Sequence, residues 1–342
     1  MPRCAVVSFR LGVSDGVSIV AATWGAVLGA LGFDVTTVAG DGPVDRRIAG
    51  LELGAVDAPD PAALERALAD VDVVVVENLC TIPMNLPASR AVAAVLRGRP
   101  AILHHHDPPW QRPQWEHITE LPPDDPAWRH VAINQLTRRQ LAERDIDAVT
   151  IYNGFDPNPP RGDRVATRAS LGLDETARLV VHPVRAIPRK NVPAAVRLAA
   201  AIGATYWLLG PAEDGYDDEL ESVLAGARCP VIHAPAPSMQ DAYAAADLVA
   251  FPSTWEGFGN PPIEAALHRR PVAVGPYPVA DELRSFGFEW FAPDDVDRVD
   301  AFLRAPDDAT LDHNQRIARE HFSIDRVARD VERLLERAGW LP

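Results

Sequence analysis

The sequence contains few cysteines, almost no lysine and no long apolar run. Three cysteines occur in 342 residues, at Cys4, Cys80 and Cys229, and none belongs to a C-x-x-C pair. This spacing excludes a disulfide framework and a cysteine-based zinc site, and it fits a reducing compartment. No apolar run approaches the ~20 residues of a membrane-spanning helix. We therefore expect no stable membrane insertion, and Met1–Phe9, which predicts a first strand rather than a signal peptide, favours a cytoplasmic location.

Lys190 is the single lysine among 33 lysine and arginine residues. Such depletion is typical of a biased base composition, so this lysine indicates a position where a compact ammonium group is needed, unless it remains by chance. The chain as a whole has a formal net charge of −15. That charge argues against nucleic acids and anionic membrane surfaces as partners, and it disfavours a lipid acceptor.

Strand-like segments alternate with helical segments along the chain, as in βαβ units. Val73–Val76 is a continuous β-branched run, which is typical of a parallel strand covered on both faces. The alternation stops at 154–165, a stretch rich in Pro, Gly and Asp that we interpret as a linker, and it then restarts. The pattern predicts an α/β protein with two doubly wound Rossmann-like domains facing across a cleft, with the N-terminal domain at 1–153 and the C-terminal domain at 166–317. Two further expectations are a last strand at Glu289–Phe291 and a helical segment over Thr310–Arg337.

The stretch from Phe251 to Val274 combines a strand end, a glycine loop and a helix start. The loop Glu256–Gly259 follows the strand, and Asn260 can cap the next helix. This geometry leaves free backbone N–H groups and the positive end of a helix dipole, which favours a bound anion such as phosphate. The predicted donor-binding positions in this loop are Phe258, Gly259 and Asn260.

Two carboxylates flank the same loop, Glu256 and Glu264, in the pattern E-x₇-E. A carboxylate beside a phosphate would repel it, so we interpret both as acceptors of hydrogen bonds from hydroxyl groups, which sugars and riboses supply. A buried glycine turn with two solvated glutamates is the alternative. The stretch resembles the signature of the retaining nucleotide-sugar glycosyltransferases of family four (group 1), which have the GT-B fold. The resemblance implies that Glu256 contacts the donor sugar and Glu264 the ribose.

Two more motifs extend this resemblance over most of the chain. Tyr152–Asp156 (YNGFD) is similar to the family's N-G-h-D at the domain junction, and His182–Asn191 (HPVRAIPRKN) to its G-R-L-x-x-x-K-G element. The resemblance implies that Arg185 and Lys190 hold the donor diphosphate, where a guanidinium and an ammonium would neutralise the leaving group. The alternative for Arg185 is a surface ion pair. By the same resemblance, the C-terminal helix at 318–342 packs back onto the first domain.

Three consecutive histidines and an aspartate, His104 to Asp107, close a first-domain strand. Side chains alternate along a strand, so at most two of the three imidazoles share a face. The resemblance implies that one histidine touches the donor sugar, and we assign this role to His106, with His105 in reserve. A buried core histidine and a metal site are the alternatives, although consecutive residues converge poorly on one ion.

Polar residues that follow other first-domain strands are candidates for the acceptor side. An indole can stack on a sugar ring, and a guanidinium can pair with a carboxylate or phosphate. Ordinary loop packing is the alternative. The candidates are Asp15, Glu77, Asn78, Trp110 and Arg112, while Gly16, next to Asp15, is assigned to the donor site.

Together these patterns predict a retaining glycosyltransferase that moves a hexose from a nucleoside diphosphate sugar to a hydroxyl group of a soluble acceptor, either a small molecule or a saccharide. No metal or other cofactor is expected, because D-x-D strings arise by chance among 48 acidic residues. The nucleotide stays open between UDP, GDP and ADP. The alternatives are a nucleotide-sugar epimerase of the same fold, a non-catalytic sugar binder and a dinucleotide oxidoreductase, which the absence of a G-x-G-x-x-G after the first strand disfavours.

Overall fold

The computed structural model describes residues 1–13 and 15–342. It divides the chain into two compact units. The N-terminal unit consists of Met1–Gly154 together with Ile324–Pro342, and the C-terminal unit consists of Phe155–Ser323. None of the described helices is both long enough and apolar enough to cross a membrane.

The described residues form twelve β-strands and thirteen α-helices. The strands are β1 (Arg3–Arg10), β2 (Asp34–Asp41), β3 (Arg46–Arg47), β4 (Val73–Glu77), β5 (Ala101–His105), β6 (Trp128–Ala132), β7 (Ala148–Thr150), β8 (Leu179–His182), β9 (Thr205–Leu208), β10 (Val231–His233), β11 (Leu248–Phe251) and β12 (Val272–Val274). The helices are α1 (Gly16–Ala30), α2 (Pro61–Leu68), α3 (Leu86–Leu96), α4 (Gln135–Ala142), α5 (Arg164–Ser170), α6 (Val192–Ala201), α7 (Asp217–Ala225), α8 (Met239–Ala245), α9 (Asn260–Leu267), α10 (Pro278–Arg284), α11 (Val296–Arg304), α12 (Asp308–His321) and α13 (Ile324–Ala338).

The N-terminal unit is built on a seven-stranded parallel sheet in the order β3-β2-β1-β4-β5-β6-β7. Side chains of β4 alternate between two apolar clusters. Val74 and Val76 pack with residues of α2 and α3, whereas Val73 and Val75 pack with residues of α1 and α13. Helices therefore cover both faces of the sheet, which explains why the predicted β-branched run is apolar at every position.

The C-terminal unit is built on a five-stranded parallel sheet in the order β10-β9-β8-β11-β12. Four of its strands, β8, β9, β11 and β12, are buried throughout. Both sheets have the strand order of doubly wound α/β folds, so the predicted fold class of two Rossmann-like domains is confirmed.

One prediction of local structure was wrong. Glu289–Phe291 is not a strand, since Phe291 forms only a single β-bridge, with Ala273. The apolar side chains of this segment pack through their rings, and Phe288 and Trp290 stack with 4.7 Å between their ring centroids.

The segment predicted over 310–337 is helical, and it consists of two helices, α12 and α13. The chain breaks at Phe322, whose side chain is fully buried and whose carbonyl accepts a 2.8 Å hydrogen bond from the N–H of Phe155. The next residue, Ser323, forms a β-bridge with Phe155. Residue 318 therefore lies within α12 of the C-terminal unit, and α13 packs against α1 of the N-terminal unit.

Candidate functional site

The centre of the C-terminal sheet brings two predicted site segments together. β8 and β11 are hydrogen-bonded neighbours, although β8 continues in the chain toward β9 on its other side. At such a switch point the connections leave the carboxyl ends of the strands in opposite directions and open a crevice where ligands bind in α/β folds. Lys190 follows β8 and Glu256 follows β11, so both residues belong to this edge of the sheet.

A short turn presents the cations that follow β8. Pro188 to Lys190 form one turn of 3₁₀ helix. Asn191 then adopts a left-handed conformation with φ of 54°, which asparagine tolerates better than most residues, and α6 begins at Val192. This change of direction lets Arg189 and Lys190 point toward the same carboxylate.

Glu256 is held by two cations. Nζ of Lys190 lies 2.5 Å from Oε1 of Glu256, and Nη1 of Arg189 lies 2.6 Å from Oε2. The side chains of Glu256, Lys190 and Arg189 are 8%, 12% and 24% exposed. The sequence interpretation gave no role to Arg189, although a second cation beside the single lysine was a visible signal.

Both partners of the Lys190–Glu256 pair are charged at neutral pH. Burial lowers the pKa of Lys190 to about 8, against the opposing effect of Glu256. Burial would raise the pKa of Glu256, but the charges of Lys190 and Arg189 outweigh that effect and hold it below its ordinary value. The arrangement is therefore a buried carboxylate between two cations, of which the ammonium is the more easily neutralised.

Three buried polar atoms at or after the ends of β8 and β11 have no hydrogen-bond partner among the described residues, Nε2 of His182, Oγ of Ser253 and Nε1 of Trp255. His182 ends β8 and is fully buried, and burial together with Lys190 lowers its pKa to about 3, so the ring is neutral. Trp255 immediately precedes Glu256. Buried donors and acceptors are normally satisfied, so these atoms are suited to a polar ligand.

Arg185 does not join the Lys190–Glu256 cluster in this structure. Its Nη1 lies 2.5 Å from Oε2 of Glu213, in a pair whose side chains are 47% and 39% exposed. The surface ion pair that was the alternative for Arg185 is therefore present. A pair this exposed is weak, and a ligand with higher charge can displace it.

Glu264 lies on α9 and is oriented by a tyrosine. The hydroxyl group of Tyr243 donates a 2.6 Å hydrogen bond to Oε2 of Glu264, and the ring of Tyr243 stacks on His268 at 5.0 Å. Burial raises the pKa of Glu264, and the hydrogen bond from Tyr243 opposes this shift. The sequence gave no signal for Tyr243, which lies on α8 and is 21 residues from its partner.

The helix start after the glycine loop differs in detail from the prediction. The capping residue is Gly259, at φ of 97°, and Asn260 is the first residue of α9, so the assignment of Asn260 as the cap was wrong. Glycine is required at the cap, because a Cβ atom there would lie 2.2 Å from the hydroxyl oxygen of Tyr277. The side chain of Phe258 is buried and stacks on Phe155, so this residue can offer a ligand only its backbone.

In the N-terminal unit, the alternation of the three histidines is as predicted. His104 Nδ1 and His106 Nε2 bind Glu77 on one side, at 3.0 Å from Oε1 and 2.9 Å from Oε2. His105 points to the other side, where Nδ1 lies 2.7 Å from the hydroxyl oxygen of Thr81. Glu77, predicted as an acceptor contact, is fully buried with both oxygens engaged, so the structure corrects that assignment: Glu77 is a partner of the histidines.

Glu77, His104 and His106 each offer one ligand atom, and these atoms lie within 4.8 Å of one another, a spacing that can hold a metal ion. Their hydrogen bonds also explain the arrangement without an ion. Burial would raise the pKa of Glu77, but the charges and hydrogen bonds of His104 and His106 outweigh it and bring the pKa to about 2. The carboxylate is therefore ionised and paired within the cluster.

The other acceptor-side candidates are engaged by neighbouring groups of the N-terminal unit. Asp15 caps α1 and lies 2.9 Å from Nε of Arg10, while Gly16 is the first residue of that helix. Oδ1 of Asn78 accepts hydrogen bonds of 3.2 Å from the backbone N–H groups of His106 and Asp107. The indole N–H of Trp110 donates to Gln140 at 2.9 Å, and Arg112 forms an ion pair with Asp107. These contacts fit the loop-packing alternative, and the acceptor roles stay predictions.

Part of the chain matches a known protein family, and several known proteins are similar in sequence. Residues 177–306 match the family model described as glycosyl transferases group 1. Mannosylglucosylglycerate synthase of Thermotoga maritima is 22% identical over 95% of this chain and 97% of its own length. The matched residues make up most of the C-terminal unit, so this unit is of the group 1 glycosyltransferase type. D-inositol 3-phosphate glycosyltransferase of Mycolicibacterium vanbaalenii is 33% identical, over 52% of this chain and 44% of its own length.

Solved structures show the fold of this chain. Anabaena Alr3699/HepE, solved in complex with UDP-glucose, has a TM-score of 0.79 at 21% identity, over 98% of this chain and 99% of that one. Sucrose-phosphate synthase from Thermosynechococcus elongatus has a TM-score of 0.74 at 15% identity, over 98% of this chain and 99% of that one. The predicted GT-B fold is confirmed.

Proposed function

We propose that this protein is a retaining, metal-independent glycosyltransferase that transfers a hexose from a nucleoside diphosphate sugar to a hydroxyl group of a soluble acceptor. The observation that carries the proposal is the buried Lys190–Glu256 pair after β8 and β11, where the single lysine of the chain meets the first glutamate of the E-x₇-E pattern. The UDP-glucose bound by Anabaena HepE supports a nucleotide-sugar donor.

In this proposal the cations act on the leaving group. As the bond between the anomeric carbon and the diphosphate oxygen breaks, negative charge grows on that oxygen. Lys190 and Arg185 stabilise this charge, and the N-terminal end of α9 adds the positive end of a helix dipole. Because these groups supply the electrostatic stabilisation, the mechanism requires no metal ion.

The carboxylates orient the donor. Glu256 accepts hydrogen bonds from hydroxyl groups of the sugar, and Glu264 accepts from the ribose. Cations hold both oxygens of Glu256, which makes it a poor nucleophile and disfavours a covalent intermediate. We therefore favour displacement on one face of the sugar, in which a donor phosphate oxygen takes the proton of the acceptor hydroxyl group. The contact of His106 with the sugar stays a prediction from the resemblance.

Net charge supports the choice of acceptor class. A chain with a charge of −15 is repelled by anionic membrane surfaces, which favours a soluble acceptor. Neither the family nor the neighbouring structures favour an epimerase or a dinucleotide oxidoreductase.

The experiment that tests the proposal measures release of nucleoside diphosphate from UDP-, GDP- and ADP-hexoses with a panel of soluble hydroxyl acceptors, with and without EDTA. The wild type should transfer in EDTA and form a product that keeps the anomeric configuration of the donor, as read by NMR. Lys190→Ala, with its fold checked by circular dichroism, should lose most of this activity. Near-normal transfer by Lys190→Ala would remove the diphosphate role, and loss of activity in EDTA would contradict metal independence.

A further inference from the structure

Glu256 has one more cation than a single buried ion pair needs. Lys190 occupies Oε1 and Arg189 occupies Oε2, at 2.5 and 2.6 Å. If the proposed function holds, the ammonium of Lys190 must turn from Glu256 to the diphosphate when the donor binds. A buried carboxylate that loses its only partner is strongly destabilised, so release of Lys190 requires a second cation that stays.

Arg189 is anchored for this purpose. Its Nη1 also donates a 2.9 Å hydrogen bond to the carbonyl of Trp255, the residue before Glu256. Its backbone carbonyl accepts hydrogen bonds from the N–H and the hydroxyl group of Thr254, at 2.9 and 3.3 Å. Arg189 is thus bound through both its side chain and its backbone to the loop that presents Glu256.

Lys190 is held less firmly. Its Nζ has one hydrogen bond, to Glu256, and otherwise lies over the ring of Phe251 at 5.1 Å from the centroid. An ammonium on a four-carbon stem turns between partners without loss of geometry, whereas a planar guanidinium with two fixed acceptors does not. Lys190 and Arg189 therefore differ in how easily they change partner, and only the lysine is free enough to turn from the carboxylate to a phosphate.

We propose that Arg189 is a positioning residue that keeps Glu256 paired and oriented while Lys190 moves from Glu256 to the donor diphosphate. This inference rests on the proposed function. It gives Arg189 no direct contact with the reacting atoms. Removal of Arg189 should trap Lys190 on Glu256 and so weaken binding of the diphosphate.

The test compares nucleoside diphosphate binding by calorimetry in the wild type, Arg189→Gln and Arg189→Lys. Arg189→Gln should raise the Kd about tenfold, because Lys190 stays with Glu256. Arg189→Lys should recover part of the affinity, because it restores the charge but not the second contact with Trp255. Arg304→Gln is the matched control, since Arg304 lies on α11 in the same unit and is 72% exposed, and its Kd should equal that of the wild type.

A double-mutant cycle separates this role from a merely structural one. In Glu256→Gln no buried negative charge needs a partner, so adding Arg189→Gln should change the Kd less than twofold. The pH at which affinity falls should also rise in Arg189→Gln, because Arg189 contributes to the low pKa of Lys190. An unchanged Kd in Arg189→Gln, or an equal loss in the Glu256→Gln background, would overturn the inference. If the wild type binds no nucleoside diphosphate at all, the proposed function itself fails.

Discussion

The hydroxyl group of Tyr243 donates a 2.6 Å hydrogen bond to Oε2 of Glu264, which leaves the other oxygen of that carboxylate for a ligand. We expect Tyr243→Phe to loosen the orientation of Glu264 and to weaken nucleoside diphosphate binding by about three- to tenfold, the value of one ordinary hydrogen bond. Calorimetry with a ribonucleotide measures this loss. A 2′,3′-dideoxynucleotide provides the control, because without ribose hydroxyls the two proteins should bind equally; an equal loss for both ligands would contradict the ribose role of Glu264.

For the exposed pair of Arg185 and Glu213, we predict a substitution that strengthens nucleoside diphosphate binding. If Arg185 must leave Glu213 to reach the diphosphate, then Glu213→Gln removes a competitor. Exposed ion pairs contribute about 0–1 kcal/mol, so affinity for the nucleoside diphosphate should rise by up to about fivefold. Arg185→Gln should weaken binding in the same assay. Weaker binding by Glu213→Gln would show that Arg185 does not need this release.

Donor affinity should depend on pH through Lys190. Burial lowers the pKa of Lys190 to about 8, so the ammonium loses its proton as the pH rises through that value and can no longer neutralise a diphosphate. Affinity measured between pH 6.5 and 9 should therefore be highest at the lower end and fall above about pH 8. Lys190→Arg keeps its charge over this range, and its affinity should stay flat. A wild-type profile that is also flat would contradict the assignment.

Buried histidines should make the N-terminal unit sensitive to acid. Burial lowers the pKa of His104, His105 and His130 from the ordinary value of 6.5. Below pH 6.5 these histidines are protonated in the unfolded state but stay neutral in the folded state. Their contribution to the free energy of unfolding is therefore complete above pH 6.5 and is lost as the pH falls. The slope from each such histidine is at most about 1.4 kcal/mol per pH unit, the limit for one proton.

Denaturant unfolding at pH 7.0, 6.0 and 5.0 measures this slope. His105→Asn should make it shallower, because one proton fewer is taken up on unfolding. His117→Asn is the matched control, since His117 is exposed and its replacement should leave the slope unchanged. Stability that stays constant from pH 7 to 5 would show that the three rings are not neutral in the folded state.

Local sequence patterns predicted most of the fold because local physics determines it. The apolar run at Val73–Val76 needs cover on both faces, and the alternation of strands and helices leaves few arrangements other than doubly wound sheets. These patterns do not reveal features that tertiary contacts decide. α12 ends where Phe322 pairs with Phe155, which is distant in sequence. The spacing of apolar residues within a helix does not indicate such a contact.

The candidate site was predictable in part for the same reason. The motifs place Lys190 and Glu256 after two separate strands, and the structure shows that these strands are neighbours and that the two side chains pair. The contact of Arg189 with Glu256 spans 67 residues, and that of Tyr243 with Glu264 depends on how α8 packs. Glu77 was predicted as an acceptor contact, because its pairing with two histidines of the next strand is not revealed by the pattern of β4 alone.

The proposed function requires that the cations of the C-terminal unit bind a diphosphate, and calorimetric titration of UDP, GDP and ADP tests this most directly. At pH 7 the wild type should bind at least one of them, and Lys190→Ala should bind it at least tenfold more weakly, the loss of one charge-assisted contact. The corresponding nucleoside monophosphate should show a smaller difference between the two proteins. No measurable affinity for any of the three diphosphates, or equal affinity in Lys190→Ala, would contradict the account.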